Sequence, residues 1–361
     1  MDMIGFTYDA LPGRVVFALG AAGRSLAGEI ERLGVTRLLL ISTTAEAELA
    51  KEIASPLGDR VAGTFTDVRP HVPVAVAEAA QSAAEDVGAQ ALLSIGGGST
   101  TGTAKAIALR TGLPIIAVPT TYAGSEMTPV WGLTEGGEKR TGVDSRVLPR
   151  VVMYDPELTF SLPVALSAAS GLNALAHCVE AFWAPGRNPI TSLMAEEGIR
   201  ALAQGLPGVV DQPKDPTARS RALYGAYLAG ASFAVAGSGL HHKICHVLGG
   251  TFDLPHAETH AVVLPYVLAF NEPALGDAAA PIARAFGSTT PLAGLLALGR
   301  QVGAPRSLSE LGMPKDGLER AAALVGAKLP FENPRPIRVS DVLSLLEDAW
   351  EGLEPCTPTL S

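Results

Sequence analysis

Ala91-Leu92-Leu93-Ser94-Ile95-Gly96-Gly97-Gly98-Ser99-Thr100-Thr101-Gly102 is the stretch on which the fold turns. Its first five residues form a nearly unbroken apolar run, as expected of a strand covered on both faces. Three glycines then precede a helical pattern over residues 99–110. A backbone without Cβ atoms lets a diphosphate approach closely, and the N–H groups opening a helix have no intrahelical acceptor, so they can meet its charge. Gly96, Gly97, Gly98 and Ser99 are therefore candidate cofactor-binding residues. An ordinary glycine turn is the competing reading, and the order of strand, loop and helix argues against it.

The same rhythm extends to both sides. Short β-rich runs at 14–19, 37–42, 60–65 and 114–118 alternate with helical patterns reaching residue 33 and at 45–54 and 74–87, and a last strand is expected over 150–154. Alternation of this kind predicts a doubly wound, mainly parallel sheet, the architecture of a dinucleotide-binding domain. The first loop, Gly20-Ala21-Ala22-Gly23-Arg24, is not the usual glycine fingerprint. The second strand ends in Ser42-Thr43-Thr44, with no carboxylate to bond a ribose hydroxyl, so NADH and NADPH are both admissible and Ser42 and Thr43 are candidate contacts. After the strand at 114–118, Pro119-Thr120-Thr121-Tyr122-Ala123-Gly124-Ser125-Glu126-Met127-Thr128 sets hydroxyls at the carboxyl edge of the sheet, where ligands of open α/β folds lie. Thr120, Thr121, Ser125 and Thr128 are read as cofactor contacts and Tyr122 as a substrate contact.

Gly136-Gly137 marks a turn within a β excursion. From residue 163 onward strand signals fade, and helices are expected over 163–183, 190–204, 216–236, 240–249, 276–286, 291–302 and 338–350. A chain of 361 residues exceeds the roughly 250 to 300 that one core serves, which predicts an α/β NAD(P)-binding domain over 1–157 and an all-α domain over 158–361.

Apolar residues at 47% and charged ones at 17% describe a compact globular protein. A net charge of −9 offers no basic stripe, which argues against a nucleic-acid partner. With no apolar run near the roughly 20 residues a bilayer requires, and no signal-like amino terminus, no membrane partner is expected and the chain reads as cytoplasmic. Cys178, Cys245 and Cys356 are too few and too scattered for a disulfide framework, and Cys245 reads as a buried inert thiol.

Six of the seven histidines lie between His177 and His260, five of them in His241-His242-Lys243-Ile244-Cys245-His246 and Pro255-His256-Ala257-Glu258-Thr259-His260. A lone histidine is usually part of the core or surface, whereas five within twenty residues mark a site. Adjacent His241 and His242 cannot point the same way on a helix, so one of them is expected to face the site. Glu126 and Glu180 read as structural, and Asp155-Pro156 as strand end and helix cap.

Taken together, GGGSTTGTAKAIA, PTTYAGSEMTP, LPRVVMYDPELT, SGLNALAHCVEAFWAP and GLHHKICHVLGGTFDLPHAETHAVVLPYV resemble the iron-containing alcohol dehydrogenase family over nearly the whole length. That resemblance implies an active site in a cleft between the two domains and, commonly, a homodimer. Metal-holding members use an aspartate and three histidines. The matching positions here are Asn173, His177, His242 and His256, with the aspartate replaced by an amide. Three neutral imidazoles still suffice for zinc. The asparagine nevertheless resembles members regarded as metal-independent, so no metal is expected.

Those members reduce a small anionic substrate, an unsaturated keto dicarboxylate from aromatic-ring degradation. Hydride adds to the alkene carbon β to the ketone, and an enolate oxygen develops that a donor must meet. His242, Lys243, His246 and His256 are the candidate catalytic donors, His242 being the one chosen to face the site. Lys243, His241, His260, Lys139 and Arg140 are candidates for the substrate carboxylates. Two readings compete: a metal-dependent alcohol dehydrogenase acting on a small aldehyde or ketone, and a lyase of the dehydroquinate synthase type that uses NAD transiently.

Overall fold

The computed structural model describes residues 5–11, 13–136 and 138–357. Gly137 and the side chain of Lys139, singled out above, lie outside the described residues. The chain forms two compact units, Leu11–Leu162 on the one hand and Pro163 onward with the stretch before Leu11 on the other.

In Leu11–Leu162 the chain runs β1 (Arg14–Phe17), α1 (Ala21–Leu33), β2 (Leu38–Ile41), α2 (Ala47–Ala54), β3 (Val61–Phe65), α3 (Val74–Asp86), β4 (Ala91–Gly96), α4 (Gly98–Thr111), β5 (Ile115–Pro119), the hairpin β6 (Val130–Glu135) and β7 (Glu138–Val143), and β8 (Val151–Tyr154). Six strands make a parallel sheet in the order β1-β8-β5-β4-β2-β3. The expected doubly wound domain is present. Strands β2, β4 and β5 are buried along their whole length, which is why they read as apolar runs without alternation. Leu38, Leu40, Leu93, Ile95, Ile116 and Val118 share one face with Leu26 and Ile30 of α1, and each such side chain contributes about 1.5–3 kcal/mol by leaving water.

Helix α1 has no cap of its own. Its first amides instead donate to the carboxylate at the end of β8: Gly20 N to Asp155 Oδ1 at 2.8 Å and Ala22 N to Asp155 Oδ2 at 3.1 Å. Asp155 also caps its own following turn through Glu157 N, as the sequence suggested, and reaches 135 residues back as well.

The other unit is helical: α5 (Val164–Ala181), α6 (Pro189–Asp211), α7 (Pro216–Ala236), α8 (Leu240–Phe252), α9 (His256–Asn271), α10 (Ala279–Phe286), α11 (Pro291–Gln301), α12 (Leu318–Gly326) and α13 (Val339–Glu351). Helix α6 continues through Pro207, where the sequence reading stopped short. Proline removes a hydrogen bond there, but α7 holds the turn closely: a Cβ on Gly205 would lie 2.6 Å from Ala222 N. Helix α9 was not foreseen because Pro265 interrupts it and Thr259–Leu264 is buried on every side, leaving no stripe to read. The short α12 was also missed. Among the described residues no single helix is long and apolar enough to cross a membrane.

Candidate active site

The glycine loop after β4 meets the segment after β5. A Cβ on Gly96 would lie 2.5 Å from Thr100 Oγ1 and 2.8 Å from Glu46 Oε2, one on Gly97 3.0 Å from Thr121 Cγ2, and one on Gly98 3.2 Å from Ala123. Gly96 also has φ +150°, a conformation L side chains rarely adopt. Glycine is thus required at Gly96 by space and by backbone. Helix α4 opens at this loop with no side-chain cap, whereas the α1 terminus is already bonded to Asp155. No side chain competes with an anion at the α4 terminus.

The hydroxyls around it divide into two groups. Ser42 Oγ, Thr100 Oγ1 and Thr121 Oγ1 are buried without a partner. Thr43 and Thr120 are both tied to a residue the sequence reading overlooked, Glu46, at 2.9 and 2.6 Å. A carboxylate does therefore stand beside the tip of β2, supplied by the start of α2 rather than by the strand. Ser99 is half-buried within the first turn of α4. Tyr122 is fully buried, and Thr128 Oγ1 lies 3.0 Å from Lys105 Nζ, which also takes the Ser125 carbonyl at 2.7 Å. The Ser125 carbonyl and Thr128 are thereby tied to α4 through Lys105.

In the helical unit, α5, α8 and α9 bring Asn173, His177, His241, His242 and His260 together, all buried. The His177 and His242 rings stack at 5.0 Å, and His242 and His260 stand 4.9 Å apart. Phe233 covers both His177 and His242, at 4.7 and 4.8 Å. His246 is half-buried with its ring 6.2 Å from His242, and exposed His256 lies 4.4 Å from His260. Lys243 turns its Nζ over Phe331 at 4.7 Å. Arg140, on the hairpin of the other unit, is exposed and pairs with Glu135 at 3.4 Å.

Glu180, taken from sequence as structural, organises this group. Fully buried, it accepts His242 Nδ1 at 2.6 Å, His241 N at 2.8 Å, Gly239 N at 2.9 Å and His242 N at 3.4 Å. Three main-chain donors favour the carboxylate form and so place the His242 proton on Nδ1. His242 Nε2 then presents a lone pair. His241 Nε2 lies 2.8 Å from His260 Nδ1, which fixes the His260 ring. Asn173 Oδ1, His177 Nδ1, His242 Nε2 and His260 Nε2 have no partner, a concentration of buried unmet polar atoms that calls for a ligand.

Burial pulls His241 and His242 down to about 3, and His177 and His260 well below the usual imidazole range. Burial thus favours the neutral form of these rings, in which a ring nitrogen can offer a lone pair to a ligand. Burial pushes Glu180 up, opposed by His241 and by the three amides.

Residues 12–156 match the family model described as iron-containing alcohol dehydrogenase, and residues 167–350 match the C-terminal model of the Fe-containing alcohol dehydrogenase family. The chain belongs to the iron-containing alcohol dehydrogenase family. It is 52% identical over 352 residues to a maleylacetate reductase of Sphingobium indicum, covering 98% of this chain and 99% of that one. Among solved structures, an iron-containing alcohol dehydrogenase from Corynebacterium glutamicum superposes with a TM-score of 0.95 at 51% identity, covering 98% of this chain and 99% of that one. A maleylacetate reductase from Agrobacterium tumefaciens gives 0.92 at 48%, covering 98% and 100%.

The expectation that no metal takes part is corrected by these findings. Both matching family models carry iron in their descriptions, and His241, Cys245 and His260 set ligand atoms within 4.8 Å of one another. The sequence argument let the missing aspartate decide, but neutral imidazoles bind divalent metals without an anionic ligand. Asn173 Oδ1, His177 Nδ1, His242 Nε2 and His260 Nε2 form a second set of candidate ligand atoms, buried and without a hydrogen-bond partner among the described residues. His241 Nε2 and His260 Nδ1 already bond each other, and burial pushes the Cys245 thiol well up.

Proposed function

We propose that this protein reduces the carbon–carbon double bond of maleylacetate with hydride from NADH or NADPH, giving 3-oxoadipate. The observation that carries the reading is full-length identity of about half to maleylacetate reductases. The buried set of unmet polar atoms in the helical unit supports it. Hydride adds to the alkene carbon β to the ketone, negative charge passes to the ketone oxygen, and a proton from solvent or a side chain completes the α carbon. The open α4 terminus and glycine loop bind the cofactor diphosphate. Asn173, His177 and His242 would hold a metal ion together with His256 or His260, whose rings lie 4.4 Å apart, and that ion would supply Lewis-acid stabilisation of negative oxygen. Glu180 holds His242 with its lone pair presented, and Phe233 keeps water from the two stacked imidazoles. Lys243, next to His242 in sequence, attracts a substrate carboxylate.

A cytoplasmic homodimer with this activity is part of the proposal, checked by sedimentation and cell fractionation. The direct test follows reduced-nicotinamide absorbance with maleylacetate, and with simple aldehydes and ketones, before and after chelator treatment. Turnover of carbonyls in preference to maleylacetate would overturn the substrate.

A further inference from the structure

Lys105 lies on α4, the helix whose N-terminus carries the glycine loop, and its side chain is 1% exposed. Its Nζ sits 2.7 Å from Ser125 O, 2.8 Å from Thr128 O, 2.8 Å from Val130 O and 3.0 Å from Thr128 Oγ1. An ammonium has three protons, so four oxygens around it make a full cage. No carboxylate is in ion-pair contact with it. The buried Glu126 attracts it at longer range while accepting the Tyr154 hydroxyl at 2.8 Å. Burial pulls Lys105 down to about 7, with Glu126 opposing. A buried cation is tolerated only where its partners are fixed, and here three of the four are main-chain or side-chain oxygens of a single short segment, Ser125 to Thr128, with Val130 just beyond. The same loop, at its other end, lays Thr121 against Gly97 and Ala123 against Gly98.

We propose that Lys105 is a positioning residue for the nicotinamide cofactor: its ammonium gathers the oxygens of Ser125, Thr128 and Val130 and so holds the 119–130 loop in place over the glycines that open α4. This rests on the cofactor reading given above. Helix α4 then serves twice, meeting the diphosphate at its terminus and setting the loop two turns later. Lys105 itself touches no ligand and acts through the loop.

The test measures the NADH dissociation constant by fluorescence for full-length wild type, Lys105→Met, Lys105→Gly and Thr128→Val, with circular dichroism to establish folding. Lys105→Met is expected to weaken NADH about tenfold or more. Lys105→Gly should bind as weakly and recover with millimolar methylammonium, which carries N–H donors into the cage, but not with tetramethylammonium, which has none. A merely structural lysine would show no such selective rescue. Thr128→Val, which removes one acceptor and leaves the carbonyls, should weaken NADH about two- to fivefold and is the deciding variant if neither lysine variant folds. Folded variants that bind NADH as wild type does overturn the role of Lys105 alone. A wild type that binds neither NADH nor NADPH overturns the cofactor reading and this proposal with it.

Discussion

Replacing Glu180 by glutamine tests the arrangement at its centre. The carboxylate is fully buried and accepts four donors, three of them on Oε2 and His241 N on Oε1. A glutamine can keep its oxygen on the crowded side, but its NH2 then faces His241 N, a donor against a donor. One buried N–H left unmet costs about 1–3 kcal/mol, and the remaining bonds fall from charge-assisted to neutral strength, losing about 1 kcal/mol each. Glu180→Gln is therefore expected to lose about 4–6 kcal/mol of stability in urea unfolding. The neutral amide oxygen accepts His242 Nδ1–H more weakly than the carboxylate did and makes the ring a poorer ligand, so metal retention should fall about 10- to 100-fold and kcat with it. Metal content by elemental analysis and reduced-nicotinamide oxidation with maleylacetate read these effects separately. A Glu180→Gln protein within about 1 kcal/mol of wild type and with full kcat would refute the reasoning.

Acid should unfold this protein early. His241 and His242 are held near 3 against 6.5 for a free imidazole, so the unfolded chain takes up protons first as pH falls. The stability they contribute is complete above 6.5 and declines below it by up to about 1.4 kcal/mol per pH unit for each ring. Glu180, pushed up, works the other way near its own range, so the window for measurement is pH 6.5 to 5; equal urea midpoints at those two values would contradict it. Gly96→Ala puts a Cβ 2.5 Å from Thr100 Oγ1 at φ +150°, which should cost about 1–3 kcal/mol and raise the NADH KM at least tenfold in steady-state kinetics. His177→Ala and His242→Ala should each abolish stoichiometric metal retention after gel filtration, whereas Cys245→Ala should leave it intact; metal lost only in Cys245→Ala would assign the ion to His241, Cys245 and His260 instead.

The amino-acid sequence on its own determined the parallel sheet, the glycine loop and the density of histidines, because each is written locally. A doubly covered strand must be apolar throughout, a diphosphate loop must lack Cβ atoms, and helical spacing relates Asn173 to His177 on α5 and His242 to His246 on α8. What sequence could not deliver was pairing across long separations. Glu180 meets α8 some 60 residues on, Asp155 closes a helix 135 residues back, and Glu46 reaches Thr120 across 74. Nothing in the local pattern separates such a carboxylate from an ordinary helix residue. Burial of the histidines was decided by the tertiary structure as well: Phe233 covers His177 and His242, and loss of water lowers the affinity of both rings for a proton, which favours neutral imidazoles.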